Sequence, residues 1–88
     1  MNVDLNFDLV DLNGAVIANA GQLIANLLMA ETKGDSVKYF DWAIALNKKE
    51  SITIDQSDFT KLKELVSSPD KLVALVKAPI LKYLDTVK

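Results

Sequence analysis

Residues 3–9 read Val3-Asp4-Leu5-Asn6-Phe7-Asp8-Leu9, a strict alternation of apolar and polar side chains. Successive side chains of a β-strand point to opposite faces of the sheet. The four apolar residues therefore share one face, and Asp4, Asn6 and Asp8 share the other. This pattern predicts a half-buried strand with an acidic outer face, and it places β-structure in the first part of the chain.

A hairpin is expected directly after this strand. The dipeptide Asn13-Gly14 is typical of tight hairpin turns, because both residues tolerate a positive φ. The short run Ala15-Val16-Ile17 would return as a second strand against Asp11 or Leu12. Farther along, Ser51-Ile52-Thr53-Ile54 is short and β-branched, which predicts either a third strand or an extended linker.

The rest of the chain has helical periodicity, with apolar residues three and four positions apart. Capping residues and helix breakers bound each predicted helix. The first helix runs from about Ala20 to about Thr32, between Asn19 as its N-cap and Gly34 as its terminator. The second begins at Asp35 or Ser36 and runs to about Lys48. The third begins at Asp55 or Ser57 and stops at Ser67-Ser68-Pro69, and a fourth begins with Ser68 as its N-cap and Pro69 as its first residue. Pro79 has no N–H to donate, so we expect it to break or bend the fourth helix near Lys77-Ala78 and to leave a last short helix.

The second predicted helix is apolar around most of its circumference. Tyr39, Phe40 and Trp42 lie within four residues on different sides of it, so one small core cannot easily bury all three. Such a helix is either central to the core or half covered by a partner, and Tyr and Trp are common anchors of interfaces. The alternative is that Trp42 and Phe40 are core residues and that Tyr39 or Tyr83 is the more exposed aromatic.

A protein-binding surface is therefore predicted on two features of the chain. The predicted residues are Tyr39, Trp42 and Tyr83, together with Asp4, Asn6 and Asp8 of the first strand. If this long strand lies at the edge of its sheet, its free N–H and C=O groups can pair with another chain. The acidic outer face would then favour a Lys-bearing partner.

The composition excludes most routes to catalysis. The 88 residues include no Cys and no His, and all ten basic residues are Lys. The chain therefore lacks thiolates and disulfides, the usual general base near neutral pH, and the guanidinium fork that proteins favour for phosphate. Asp4, Asn6 and Asp8 mimic the start of a calcium loop, but its Gly and closing Glu are missing. On a strand, Asp4 and Asp8 would also lie about 13 Å apart. We predict no catalytic residue, no metal site, no cofactor and no enzymatic activity.

The charge is weak and unevenly distributed. The net charge is −2; residues 1–31 carry four acidic residues and no Lys, whereas residues 32–88 carry ten Lys and eight acidic residues. A weakly acidic chain is a poor match to nucleic acid, although a nucleic-acid accessory factor is the alternative function. That alternative would use the C-terminal lysines Lys61, Lys63, Lys71, Lys77, Lys82 and Lys88. No apolar run approaches the ~20 residues of a membrane span, so we expect no membrane partner and a cytoplasmic protein.

Several segments together resemble a known group of proteins. They are Leu12-Asn13-Gly14, the small apolar helix around Leu23–Met29, the segment from Gly34 to Ala43, the segment from Ile54 to Phe59, and Val76-Lys77-Ala78-Pro79-Ile80-Leu81. Their order resembles that of small uncharacterised proteins encoded by tailed bacteriophages and prophages. The resemblance spans most of the chain and implies a viral origin, with a role in host cytoplasm or in particle assembly. It implies no functional residue, because it consists of helix starts and packing positions.

These observations predict a single α+β domain over residues 1–88. A small N-terminal antiparallel sheet, made of the hairpin and an optional third short strand, would be packed by four or five helices. The predicted function is that of a non-enzymatic, phage-encoded protein that acts through protein–protein contacts. It would serve as an assembly factor, a structural subunit or a modulator of a host protein, with a protein partner or a second copy of the chain bound to it.

Overall fold

The computed structural model describes residues 1–31, 34–69 and 71–87, and within them it confirms the α+β class. In chain order the elements are β1 (Asn2–Val3), β2 (Asp8–Val10), β3 (Val16–Asn19), α1 (Ala20–Ala30), α2 (Ser36–Asn47), β4 (Ile52–Thr53), α3 (Gln56–Ser67) and α4 (Ala74–Leu84). The described strands form two separate two-stranded antiparallel sheets, β1–β4 and β2–β3, so the prediction of a single sheet is wrong. Contacts between Cα atoms divide the chain into two compact units, Asp4–Ile52 and Met1–Val3 with Thr53–Lys88. The single domain stays a prediction.

The alternating segment 3–9 does not form one continuous strand, as was predicted, because a tight turn interrupts it. The Asp4 side chain accepts a hydrogen bond from the Asn6 N–H at 3.0 Å, and the Phe7 N–H donates to the Leu5 carbonyl at 2.9 Å. These local bonds compete with strand pairing. The alternation of burial is nevertheless confirmed, since Val3, Leu5 and Leu9 are buried while the three polar residues between them are exposed.

The predicted hairpin is confirmed, but its return strand is Val16–Asn19 in place of residues 15–17, and this strand pairs with Asp8–Val10 in place of Asp11 or Leu12. The pairs are Asp8 with Asn19, Leu9 with Ala18 and Val10 with Val16, and the register shift between the last two pairs leaves Ile17 as the extra residue of a bulge. The Asp11 N–H donates to the Ala15 carbonyl at 2.9 Å, so the loop comprises residues 12–14. Gly14 adopts φ +87°, as expected for the left-handed residue of such a loop.

In the unit Asp4–Ile52, the two helices begin where their caps predict. The Asn19 side chain accepts from the Gln22 N–H at 3.1 Å at the start of α1, and Asp35 accepts from the Lys38 N–H at 3.1 Å at the start of α2. Gly34 is not the terminator of α1, because that helix ends at Ala30 with Glu31 as its C-cap. The predicted end at Thr32 lies outside the described residues.

The core of this unit lies where α1 packs against α2. Five of its large side chains are fully buried, namely Leu5, Leu9, Ile24, Leu28 and Leu46. Gly21 permits a close approach at the start of α1. A Cβ atom there would lie 3.2 Å from the Leu46 carbonyl oxygen and 3.3 Å from that of Leu5.

The second unit combines the β1–β4 sheet with α3 and α4. The Met1 ammonium donates to the Ile54 carbonyl at 2.6 Å, and the Ile54 N–H donates back to the Met1 carbonyl at 2.8 Å. Helix α3 begins after Asp55, whose side chain accepts from the Asp58 N–H at 2.7 Å, and it packs against α4. The predicted end of α3 at Ser67 is confirmed.

Two predictions for α4 are wrong. The helix does not start at Ser68 and Pro69 but at Ala74, where the capping position Val73 has no side chain that can accept a hydrogen bond. It also runs through Pro79 without a separate last helix. A proline in a helix removes only one backbone hydrogen bond, and Ile80 and Leu84, which are buried on this helix, stabilise its continuation.

Candidate protein-binding surface

The structure brings two of the predicted aromatic residues together. The rings of Tyr39 and Trp42 on α2 lie 5.6 Å apart at an interplanar angle of 38°, a geometry that is favourable for aromatic pairs. Trp42 is only 9% exposed, whereas Tyr39 is half-buried. Tyr83 is also half-buried, on α4 in the other unit. Trp42 is therefore mainly a core residue, and binding of a partner by Tyr39, Trp42 and Tyr83 stays a prediction.

The predicted acidic face is exposed, but the strand that was to carry it is short. Asp4 and Asn6 lie in the turn between β1 and β2, and Asp8 begins β2. The Asn6 side-chain oxygen accepts from the Asn19 amide at 3.3 Å, which ties this turn to the start of α1. The long free edge that the sequence predicted is therefore not formed. Binding of a Lys-bearing chain by these three residues stays a prediction.

Helix α2 carries an exposed apolar face that was not predicted from the sequence. Val37, Phe40 and Ile44 lie three and four positions apart, so they share one side of the helix. Phe40 is 52% exposed and Val37 is 72% exposed. We call these three residues the α2 stripe. The alternative that made Phe40 a core residue is thus wrong, while the same alternative is right about Trp42.

A shallow groove continues this face toward α1. It has a volume of about 270 Å³. Its lining residues are Ala25, Asn26, Met29, Ala43, Ile44 and Asn47. Ile44 belongs to both the stripe and the groove, and Met29 of α1 is 48% exposed. Apolar groups line the groove beside the side-chain amides of Asn26 and Asn47, a combination that suits an apolar side chain from another protein together with a few hydrogen bonds.

A signal for this face is present in the sequence. On a helical wheel at 100° per residue, the polar positions Lys38 and Asp41 cover only a narrow sector of α2. Trp42 and Leu46 lie about 90° from this sector in one direction around the helix and are buried. Apolar residues that lie in neither sector are left over, and they form the α2 stripe. Periodicity identifies this surplus, but it does not say which aromatic residue faces the core.

A second apolar patch covers the hairpin. Val10 and Val16 are directly paired and exposed on one face, Ile17 of the bulge is exposed beside them, and Leu12 at the tip is 96% exposed. Exposed apolar patches of this kind mark interaction surfaces more often than single exposed residues do. We refer to these four residues as the hairpin patch.

Charged side chains are at the surface throughout the described residues. No charged or polar side chain is buried in that part of the chain, and no three acidic residues there are grouped to hold a metal ion. Perturbed acid–base groups in enzymes usually depend on burial. The described residues therefore offer apolar contact surface and no buried ionisable group.

Some of the lysines that a nucleic-acid-binding function would use contact other residues of the chain. Lys63 forms an ion pair with Asp85 at 2.8 Å and lies 5.7 Å from the centre of the Phe59 ring. The Lys77 ammonium donates to the Ser68 carbonyl at 2.9 Å. Lys61 and Lys82 are exposed, and Lys88 lies outside the described residues. Lys63 and Lys77 thus have structural roles that would compete with phosphate binding.

Comparison with known proteins identifies no relative of this chain. No family model, curated protein or solved structure matches the chain. Within residues 1–31, 34–69 and 71–87, no helix is both long and apolar enough to span a membrane. A functional conclusion therefore depends on the surfaces described above.

Proposed function

We propose that this chain is a small non-enzymatic protein that acts through protein–protein contacts, and that the α2 stripe and the adjoining groove form its contact surface. The observation that carries the proposal is the exposure of Phe40, which lies one helical turn from Ile44. Ile44 and Met29 are exposed as well, and both line the groove. Full burial of such a side chain contributes about 1.5–3 kcal/mol. A partner that covers this face would therefore bury apolar surface that is exposed in the isolated chain, and this burial would contribute to the free energy of binding.

The composition of the surface supports a protein as the partner. Phe and Met are enriched in the cores of interfaces, and charged residues are depleted there. The α2 stripe and its groove contain no charged side chain, whereas Lys38 and Asp41 lie on the neighbouring side of the helix. A partner with an apolar anchor fits this arrangement better than a nucleic acid or a charged metabolite does. The partner is another protein or a second copy of the chain.

The biological setting follows from the resemblance to small proteins of tailed bacteriophages. It supports a role in host cytoplasm as an assembly factor, a structural subunit or a modulator of a host protein. Each of these roles requires a stable contact surface and no catalytic group.

Site-specific photo-cross-linking tests the proposal in the cells that produce the protein. A benzophenone amino acid at position 40 is expected to yield one discrete cross-linked species, either a heterodimer or a homodimer. The same group at position 41 provides a matched control, since Asp41 is also exposed and is rotated about 100° around the helix. If position 40 gives no adduct beyond those at position 41, the proposed surface is wrong.

A further inference from the structure

The hairpin loop contains a chemically reactive pair of residues. Six asparagines occur in the chain, and Asn13 is the only one followed by glycine. Asn13 and Gly14 are both exposed, and a Cβ atom built on Gly14 would have no atom within 4 Å. The backbone N–H of Asn13 donates to Asp11, whereas the Asn13 side-chain amide has no hydrogen-bond partner among the described residues. Both residues are therefore accessible to solvent.

We infer that Asn13 is a modification site, which converts spontaneously to aspartate and isoaspartate through a cyclic imide with Gly14. The Gly14 amide nitrogen loses its proton and attacks the Asn13 side-chain carbonyl carbon. A carbon–nitrogen bond forms, the side-chain nitrogen takes from the solvent a proton equivalent to the one that Gly14 gave up, its bond to the carbon breaks, and ammonia leaves. Water then adds to one of the two imide carbonyls. Opening at the side-chain carbonyl gives aspartate, and opening at the main-chain carbonyl gives isoaspartate.

Glycine is the residue that makes this reaction fast. A side chain on the following residue hinders the approach of its amide nitrogen to the asparagine carbonyl, and glycine has none. The other five asparagines precede Val3, Phe7, Ala20, Leu27 and Lys48. They thus serve as controls within the same molecule.

The hairpin restrains the reaction without preventing it. The Gly14 N–H donates to the Asp11 carbonyl at 3.0 Å, and the Asp11 carboxylate accepts from the Asn13 N–H at 2.9 Å and from the Ala15 N–H at 3.0 Å. The nitrogen must leave the first of these bonds before it can attack. Exposed loop tips open locally at low cost, so the rate follows the opening of this loop. The Asp11 side chain, which holds the loop closed through Asn13 and Ala15, consequently slows the reaction.

The products change the hairpin patch. Each adds one negative charge next to Leu12, which is 96% exposed. Isoaspartate also adds a methylene group to the backbone of a loop whose three residues fit one hydrogen-bond pattern. The longer backbone moves the N–H groups of residues 13 and 15 away from the Asp11 carboxylate, which accepts hydrogen bonds from both. The pairing of Val10 with Val16 is then weakened. This inference is independent of the proposed contact surface, which lies on α2.

Peptide mapping by mass spectrometry tests the inference on the full chain. The protein is incubated in oxygen-18 water at neutral and at mildly alkaline pH, and electron-transfer fragmentation distinguishes isoaspartate from aspartate. Conversion at Asn13 is expected to be several-fold faster than at any other asparagine, to incorporate one heavy oxygen atom, and to accelerate with pH. Equal rates at all six asparagines would overturn the inference.

Two variants separate the chemistry from the folding of the hairpin. Asn13→Gln keeps Gly14 and its φ but requires a six-membered ring, so conversion at this position should fall several-fold. Asp11→Ala removes the side-chain bonds of the loop and should raise the rate at Asn13 several-fold. An unchanged rate in Asp11→Ala would contradict the role assigned to Asp11.

Discussion

At the scale of single residues, hydrogen bonds to the nearest backbone groups decide most of this structure. Asn19, Asp35 and Asp55 each accept a bond from the N–H three positions later, and each starts a helix where the sequence predicts it. Such caps are predictable because acceptor and donor are neighbours in the chain. The turn made by Asp4 and Asn6 is equally local, but the alternating pattern around it predicts a strand and conceals it.

Gly34 illustrates how one residue without a side chain supports an aromatic pair. It adopts φ +90°, and a Cβ atom there would lie 2.6 Å from the Tyr39 hydroxyl oxygen. We expect Gly34→Ala to lower the free energy of unfolding by about 1–2 kcal/mol from the left-handed backbone alone. Displacement of the Tyr39 ring adds to this loss. Urea denaturation followed by circular dichroism measures the change.

Gly14→Ala is the matched control for this substitution. Gly14 has φ +87°, but a Cβ atom there meets nothing within 4 Å. Both variants therefore carry the same backbone strain, and only Gly34→Ala carries the clash. A larger loss in Gly14→Ala than in Gly34→Ala would show that the contact with Tyr39 is unimportant.

At the scale of elements, the sequence predicts the position of a helix better than the direction in which it faces. Helix α2 has apolar residues on most sides, so periodicity alone cannot distinguish Trp42, which is buried, from Phe40, which is exposed. The face that α2 buries is decided by packing against α1, a contact between residues distant in sequence. For the same reason the sequence does not identify the α2 stripe as the exposed apolar face of this helix.

Truncation of the two faces of α2 should have different effects on stability. Leu46 is fully buried, so Leu46→Ala is expected to cost about 2–5 kcal/mol. Phe40 is half exposed, and Phe40→Ala should cost about 1 kcal/mol or less because little of its surface is buried in the isolated chain. Both losses are read from urea midpoints. Similar losses in the two variants would mean that Phe40 is a core residue.

Helix α4 is the element that departs most from its sequence signals. It includes Pro79, which cannot donate a backbone hydrogen bond to the carbonyl of Leu75. We expect Pro79→Ala to raise the free energy of unfolding by about 1–3 kcal/mol, since the restored bond outweighs the greater freedom of the unfolded chain. Pro69→Ala, outside the helices, should change stability by less than about 1 kcal/mol. A loss of stability in Pro79→Ala would contradict a continuous helix.

At the scale of the whole molecule, charge argues against nucleic acid as the partner. Residues 4–52 carry seven acidic residues and four Lys, and residues 1–3 with 53–88 carry five acidic residues and six Lys. Neither set is strongly basic, and Lys63 and Lys77 are engaged within the chain. Electrostatic attraction to phosphates depends on a surplus of positive charge, and residues 1–3 with 53–88 have a surplus of only one Lys.

A gel-shift experiment checks this expectation. At ~50 mM salt, where electrostatic binding is strong, we expect no shift of single- or double-stranded DNA. Lys61→Ala with Lys82→Ala is the informative variant, because both side chains are exposed and neither substitution disturbs the bond from Lys77 to Ser68. Salt-dependent binding that this double variant abolishes would favour the alternative function.

The β1–β4 sheet has a consequence for how the protein is made. A hydrogen bond joins Met1 to Ile54, 53 positions later, so β1 leaves the ribosome long before its partner strand exists. Synthesis proceeds from the N-terminus at about 5–20 residues per second, and β1 therefore waits for several seconds. The β2–β3 hairpin and α1 are synthesised early in that interval and can fold within it, whereas closure of so long a segment between β1 and β4 must follow. β1 is thus translated well before β4, and the β1–β4 sheet assembles after the β2–β3 hairpin.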